Sequence, residues 1–351
     1  MQQQRTTGRP AGLLTRRVAM ALPLLGGALW GAGAAAGARA ASERRTRPLM
    51  GTQVDIVAEG PDGPLLRQAV DRAYAEMHRL EALMSRFQPQ SLVSRISLAA
   101  GITPVAVPPE VMAVLQGAQR VSALSRGAFD VTVGAFRSWN FGPGEKVVPA
   151  AQELARQRPL VDARGLVLDA QAGTAFLARQ GMALDLGGIA KLPILEAGLR
   201  VLRSEGVENA LVNGGGDVLT LGRWQGRPWR VGLRDPRAPE RLLGVVAVDG
   251  AGVVASSGDY ERCFFYEGQR QHHVLNPRTG RPASGVHGVS LVARDVAAVN
   301  GLGAALMVQG PHAGRALAQQ RMPGLAVLIA GQDGGVWQSA AMAALLEPVA
   351  S

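Results

Sequence analysis

Cysteine is almost missing from this chain: Cys263 is the only one among 351 residues. A single thiol excludes an intrachain disulfide and any cysteine-built zinc or iron–sulfur site. Lysine is nearly as scarce, with only Lys146 and Lys191, so positive charge rests on arginine. Aromatic residues make up 4%, which argues against a base-stacking platform for nucleic acid. The five histidines are His78, His272, His273, His287 and His312. None pair at metal-ligand spacing on a helix, and the adjacent His272 and His273 point to opposite faces of a strand. The chain has no H-E-x-x-H and no G-x-S-x-G. A phosphate-binding P-loop needs Gly-Lys-Ser/Thr, but Lys146 follows Glu145 and Lys191 follows Ala190.

What is present is the composition of a folded protein. Apolar residues account for 47% and charged residues for 18%, which excludes a wholly disordered chain. The length allows one large domain or two ordinary ones and is ample for a sizeable core. The net charge is +10, but residues 1–40 carry five arginines and no acid. The remainder is left at about +5, with arginines interspersed among acids. That pattern reads first as a solvated surface, and second as a polyanion-binding face.

The N-terminus has the layout of an export signal. Arg16-Arg17 precedes an uncharged, Ala/Gly-rich run from Val18 to Ala38, which ends in Ala38-Arg39-Ala40, an A-x-A cleavage pattern. The arginine pair resembles the twin-arginine type. The competing reading is an uncleaved anchor, since the run is long enough to span a bilayer. The sequence therefore divides into a signal at 1–40, a basic linker at 41–49 and a domain at 50–346, with a periplasmic location expected.

Hydrophobic periodicity predicts the elements of that domain. Thr52–Ala58 alternates and reads as a strand. Leu66, Val70, Tyr74, Met77, Leu80 and Met84 recur at three- and four-residue steps, which predicts an amphipathic helix over Pro64–Phe87. A second helix is expected over Pro109–Ser125. Gly181–Leu186 reads as a strand entering a Gly-Gly turn, followed by a helix from Ala190 to Glu205. Short strands are expected at Ala210–Val212, Val218–Leu221, Trp229–Leu233, Val245–Val248, Val253–Ala255, Cys263–Tyr266 and Val289–Ala293. Helices at Val296–Met307 and Pro311–Gln320 and a core strand at Leu325–Ala330 complete the pattern. Helices and strands mix without a regular βαβ beat, so the fold class is α+β.

Four clusters carry candidate chemistry: Gly127-Ala128-Phe129-Asp130-Val131-Thr132-Val133-Gly134, Leu184-Asp185-Leu186-Gly187-Gly188-Ile189-Ala190-Lys191, Ser256-Ser257-Gly258-Asp259-Tyr260-Glu261-Arg262, and His273-Val274-Leu275-Asn276-Pro277-Arg278-Thr279-Gly280. Gly187-Gly188 before a helix could cradle a phosphate on backbone N–H groups with Lys191 adding charge, or could be an ordinary strand-to-helix turn. Asn276–Gly280 makes a good plain turn as well. In this order, and together with Met50-Gly51-Thr52, Met84-Ser85-Arg86-Phe87 with Ser91 and Ser94, Trp139-Asn140-Phe141-Gly142 and Asn213-Gly214-Gly215-Gly216-Asp217, the clusters resemble the ApbE family of flavin transferases. The resemblance spans about Met50 to Gly310.

The resemblance implies an ApbE-like (T-fold-like) α+β fold of mixed sheets with packed helices. It implies that FAD is bound and cleaved, that FMN passes to a Ser or Thr hydroxyl of a target redox protein, and that AMP leaves. No nucleic acid takes part, and a membrane enters only through export or a membrane-bound target. By the same matching, His273 would be the base and Lys191 would stand at the phosphates with Ser257. Met50, Phe87, Ala128, Phe129, Asp130, Pro193 and Val274 would line the FAD site, and Glu196 takes the place of the family's aspartate five positions after the lysine.

The match breaks at two places. Leu192-Pro193 replaces the usual glycine and aromatic after the lysine. In the metal segment, Asn300 and Ala304 stand where the family has a ligating aspartate and threonine, beside the backbone carbonyl of Ala190. Magnesium, which the resemblance implies as a clamp on the pyrophosphate, is therefore expected to bind weakly and to depend on FAD. An FAD-holding relative with little or no transferase activity is the second reading, and a maturation factor acting through protein contacts is the third.

Overall fold

The computed structural model describes residues 41–142 and 144–349. The twin-arginine and cleavage signals at 1–40 lie outside the described residues. The chain opens with a hairpin, β1 (Ala41–Leu49) and β2 (Thr52–Gly60), and runs through α1 (Gly63–Met84), α2 (Leu92–Leu98), β3 (Val105–Ala106), α3 (Pro109–Leu124) and α4 (Ala151–Gln157). It continues through β4 (Leu166–Asp169), β5 (Thr174–Leu177), α5 (Lys191–Ser204), β6 (Asn209–Gly214), β7 (Asp217–Leu221), β8 (Trp229–Asp235) and β9 (Ala238–Val248). The last part holds β10 (Gly252–Gly258), β11 (Cys263–Tyr266), β12 (Gln269–His272), β13 (Val286–Ala293), α6 (Leu302–Arg321), β14 (Ala326–Gly331), β15 (Val336–Gln338), α7 (Ala340–Leu345) and β16 (Leu346–Glu347).

An eight-stranded antiparallel sheet, in the order β1-β2-β6-β7-β10-β13-β14-β15, organises the molecule. Its inner strands β6, β7, β10 and β14 are largely buried along their length because both faces are covered. Successive residues go to opposite sides: Ala210, Val212, Leu219, Val253, Ala255, Val327 and Ile329 join the core under the helices. Leu211, Val218, Val254, Ala326 and Leu328 pack instead against the three-stranded sheet β16-β9-β8, with Trp229, Val231, Leu233 and Met342. The architecture is thus helices, central sheet and a smaller sheet, which is α+β as expected.

Helix α1 carries the expected stripe, buried at Leu66, Val70, Tyr74, Met77, Leu80 and Met84. Asp62 caps it by accepting the Leu65 N–H at 2.9 Å. It packs on α5 closely: a Cβ at Gly198 would stand 2.8 Å from Met77 Sδ.

Three expectations need correcting. Residues 41–49 are not a linker. They form β1, paired with β2 at every position from Ala41↔Gly60 to Leu49↔Thr52, and Tyr74 Oη lies 2.8 Å from the Arg45 carbonyl beneath it. The strand was hidden because its arginines pair outward, Arg45 with Glu43 and Arg47 with Asp71. Gly181–Leu186 is irregular apart from one parallel bridge, Val133↔Ala183. Helix Val296–Met307 is divided: a short 3₁₀ turn at Val296–Ala298 gives way to Gly301 at φ +78°, and α6 begins after it. The i, i+4 relation of Asn300 and Ala304 is therefore not that of one continuous helix.

Candidate active site

One end of the central sheet gathers the glycine-rich motifs. The β1–β2 turn is Met50-Gly51, with φ of 53° and 70°, the left-handed pair of a type I′ hairpin. Methionine there is strained, and Glu81 on α1 holds it by accepting the Met50 N–H at 2.6 Å. The neighbouring β6–β7 turn is Gly215-Gly216, also left-handed at both residues. A Cβ on Gly215 would stand 2.6 Å from Thr52 Oγ1, so the two turns touch.

Asp217, the first residue after that turn, is buried and doubly engaged. One oxygen accepts the Ser256 N–H at 2.8 Å, and the other lies 2.9 Å from Lys191 Nζ. Lys191 opens α5, whose N-terminus has no side-chain cap, leaving first-turn N–H groups toward the same space. Pro193 in that turn is half-buried and removes one donor.

His273 follows β12 directly. Its backbone N–H donates to the Arg262 carbonyl at 3.2 Å, and its Nδ1 is buried without a hydrogen-bond partner. Burial pushes its pKa down to about 3, and the facing charges of Arg262, His272 and Lys191 push the same way. The imidazole is therefore neutral at ordinary pH, the form that can accept a proton. Its loop is pinned from outside. The turn closes by Gly280 N–H to the Asn276 carbonyl at 2.8 Å, and Trp139 Nε1 donates to the Gly280 carbonyl at 2.7 Å. Trp139 stacks on Phe141 at 5.2 Å. The Trp139–Gly142 motif thus buttresses the histidine loop.

Arg262 is the residue that the sequence left unassigned within its motif. It is half-buried and lies close over Gly187: a Cβ there would stand 4.0 Å from its terminal nitrogen. Arg86 pairs with Asp185 at 2.8 Å and Lys191 pairs with Asp217. Among the described residues, Arg262 has no carboxylate within ion-pair distance. Arg86, which holds Asp185 well below the usual carboxylate range against its burial, was visible only as part of a motif.

The remaining expected residues divide. Phe129, Ala304 and Ser257 gather around Gly188 and Gly303, and Asn300 reaches the Ile189 carbonyl next to Ala190. A Cβ on Gly188 would stand 3.1 Å from the Phe129 ring and 3.9 Å from Ala304 Cβ, and one on Gly303 would collide with Ser257 Oγ. Ala128 is buried beside them. Asp130 is different: its carboxylate is spent on the Thr132 N–H and hydroxyl and the Ala163 N–H, all within 2.8 Å. It braces its own loop, and burial raises its pKa. Val274 belongs to the apolar core. Glu196 faces Arg200 and Asp295, not Lys191, and burial raises its pKa. Phe87 is 72% exposed, with the Arg86 guanidinium 5.5 Å from its ring.

The residues at the implied metal position do not fit a divalent ion. Asn300 Nδ2 donates to the Ile189 carbonyl at 2.9 Å, and Ala304 offers no side-chain oxygen. Asp217 is already taken, and Asp295 caps its own 3₁₀ turn by accepting the Ala298 N–H at 2.9 Å. Among the described residues, no group of three or more His, Cys, Asp or Glu side chains could hold a metal.

Comparison with known proteins agrees with this arrangement. The model of the ApbE family matches residues 50–329. The chain belongs to the ApbE family. It is similar to an FAD:protein FMN transferase of Vibrio cholerae, 30% identical over 296 residues, covering 82% of this chain and 87% of the relative. It also resembles an FAD:protein FMN transferase of Klebsiella pneumoniae, 35% identical over 236 residues, covering 67% and 72%. Among solved structures, the ApbE protein of Thermotoga maritima superposes with a TM-score of 0.80 at 29% identity, covering 88% of this chain and all of that one. The flavin transferase ApbE of Vibrio cholerae gives 0.75 at 28% identity, again over 88% of this chain and all of that one.

Proposed function

We propose that the protein is an FAD:protein FMN transferase. The observation that carries this reading is the meeting of a neutral, partly buried His273 with two cations, Lys191 and Arg262, beside an uncapped helix start. The acceptor Ser or Thr oxygen attacks the phosphorus of the FMN half of FAD. The bond from that phosphorus to the bridging pyrophosphate oxygen breaks, the hydroxyl proton passes to His273, and AMP leaves with the bridging oxygen. Such transfer depends on positioning and charge stabilisation more than on covalent help from the protein. Lys191 and Arg262 supply the positive charge, and the backbone N–H groups at the start of α5 add oriented dipoles. The test incubates the protein with FAD and a flavin-acceptor domain and weighs the acceptor, which gains FMN.

The alternative is an FAD-holding member that transfers little. The replacement of two oxygen ligands by Asn300 and Ala304 favours it, and the same experiment separates the two, since FAD would bind but the acceptor mass would not change. The protein is further proposed to act after export, on the strength of Arg16-Arg17 and Ala38-Arg39-Ala40. N-terminal sequencing of periplasmic material should begin at Ala41, and an intact Met1 there would contradict cleavage.

A further inference from the structure

We infer that this chain handles the FAD pyrophosphate without a resident divalent ion, with the Asn300 amide seated on the Ile189 carbonyl and Arg262 supplying the free positive charge. The inference rests on the transferase reading of the site. Its first support is Asn300. A divalent ion such as magnesium is held by oxygens, chiefly carboxylates and substrate phosphates. Here the Asn300 side-chain N–H donates to the Ile189 carbonyl, one residue before the carbonyl of Ala190 that the resemblance gives to the metal, so the position presents a fixed hydrogen-bond donor where an aspartate would present only acceptors. The asparagine is itself fixed: its backbone N–H donates to the Val296 carbonyl at 2.9 Å, and Gly301 turns left-handed directly after it. A side chain at Gly301 would press on Ile189 and Val121 at 3.4 Å, so the segment has little room to reorient.

The second support is the distribution of charge. An ion in such a site neutralises phosphate oxygens as negative charge grows on the leaving group. Two of the three cations at this site are already paired, Lys191 with Asp217 and Arg86 with Asp185. Arg262 is not, yet its guanidinium lies over Gly187 and its field reaches both His273 and Asp185. An unpaired guanidinium at the mouth of a Gly-Gly turn matches a phosphate oxygen pair, which it can bind through two N–H donors at once. Unlike an ion, it is fixed to the chain and needs no concentration of metal. Asn300 thus fills the position with a donor fixed on the Ile189 carbonyl, and Arg262 supplies the positive charge toward the phosphates that a metal would otherwise supply.

The test reads metal directly. The full chain is first titrated with FAD by flavin fluorescence in EDTA, then examined with manganese by electron paramagnetic resonance, with FAD present. The expected results are FAD binding unaltered by EDTA and no saturable manganese beyond that held by FAD alone. Asn300→Asp with Ala304→Thr should gain about one saturable manganese per chain. Arg262→Gln should weaken FAD binding by about tenfold or more while leaving the far-ultraviolet circular dichroism unchanged. One tightly held manganese per wild-type chain would overturn the inference. So would a folded double variant that binds metal no better than wild type, since Asn300 would then not be the group that keeps the ion out. Failure to bind FAD at all would sink the transferase reading itself, whereas tight FAD binding with one manganese would sink only the metal-free account.

Discussion

Replacing His273 by alanine removes the imidazole that faces both Lys191 and Arg262. General-base loss typically costs about 10²–10⁴-fold in rate, so transfer to the acceptor should fall by that range while FAD affinity changes little. Flavinylation kinetics beside an FAD titration check this, and transfer at the wild-type rate would remove His273 from the mechanism. The same residue carries a pH signature. Its folded pKa of about 3 lies below the ordinary value of 6.5. Between those values the unfolded chain binds a proton that the folded chain refuses, so stability is lost as pH falls from about 6.5 toward 3. His273→Ala should flatten that dependence in urea unfolding measured at neutral and mildly acid pH. Sequence alone named His273 and Lys191 through their motifs. It did not reveal Arg262 as the unpaired cation, because pairing is a property of space. It also read Asp130 as a ligand-facing group, whereas the fold turns that carboxylate onto its own loop.

Elements hold these residues by contacts far apart in the chain. The His273 loop depends on the turn at Gly280, where φ is +70° and a Cβ would stand 2.6 Å from the Phe136 ring. Gly280→Ala combines a left-handed alanine, about 1–2 kcal/mol, with a clash against a buried aromatic. Thermal unfolding should shift downward, and transfer should suffer more than FAD binding because the turn carries the base. The β11–β12 hairpin is anchored by Asp259, which is 1% exposed and meets Arg270 at 2.6 Å and His287 Nδ1 at 2.7 Å. Helices α1, α3 and α5 were legible from their apolar spacing. The Asn300 segment was not: a helical spacing in sequence continued across Gly301, and only the left-handed backbone there shows where the helix begins.

Across the whole molecule, the two apolar cores lie on opposite faces of one sheet, and the site sits at the end where its turns converge. The α+β class followed from the mixture of periods. The order of strands did not, because antiparallel pairing between β2 and β6, or β7 and β10, joins segments with no local signal for one another. Strand β1 was missed because three of its residues are arginines, which read as a solvated tail until their acidic partners are seen. A chain starting at Met50 should therefore be less stable than one starting at Ala41. Each ladder bond contributes about 1 kcal/mol, and loss of the strand should lower Tm by at least about 5 °C. Equal melting of the two would restore the linker reading.

The central claim is that this site moves FMN from FAD to a protein hydroxyl. The most direct measurement incubates the protein with FAD and an acceptor domain and follows acceptor mass and free AMP together. The account predicts that FMN appears on one Ser or Thr of the acceptor, with one AMP released for each FMN attached. Bound, intact FAD with an unmodified acceptor and no AMP would contradict it.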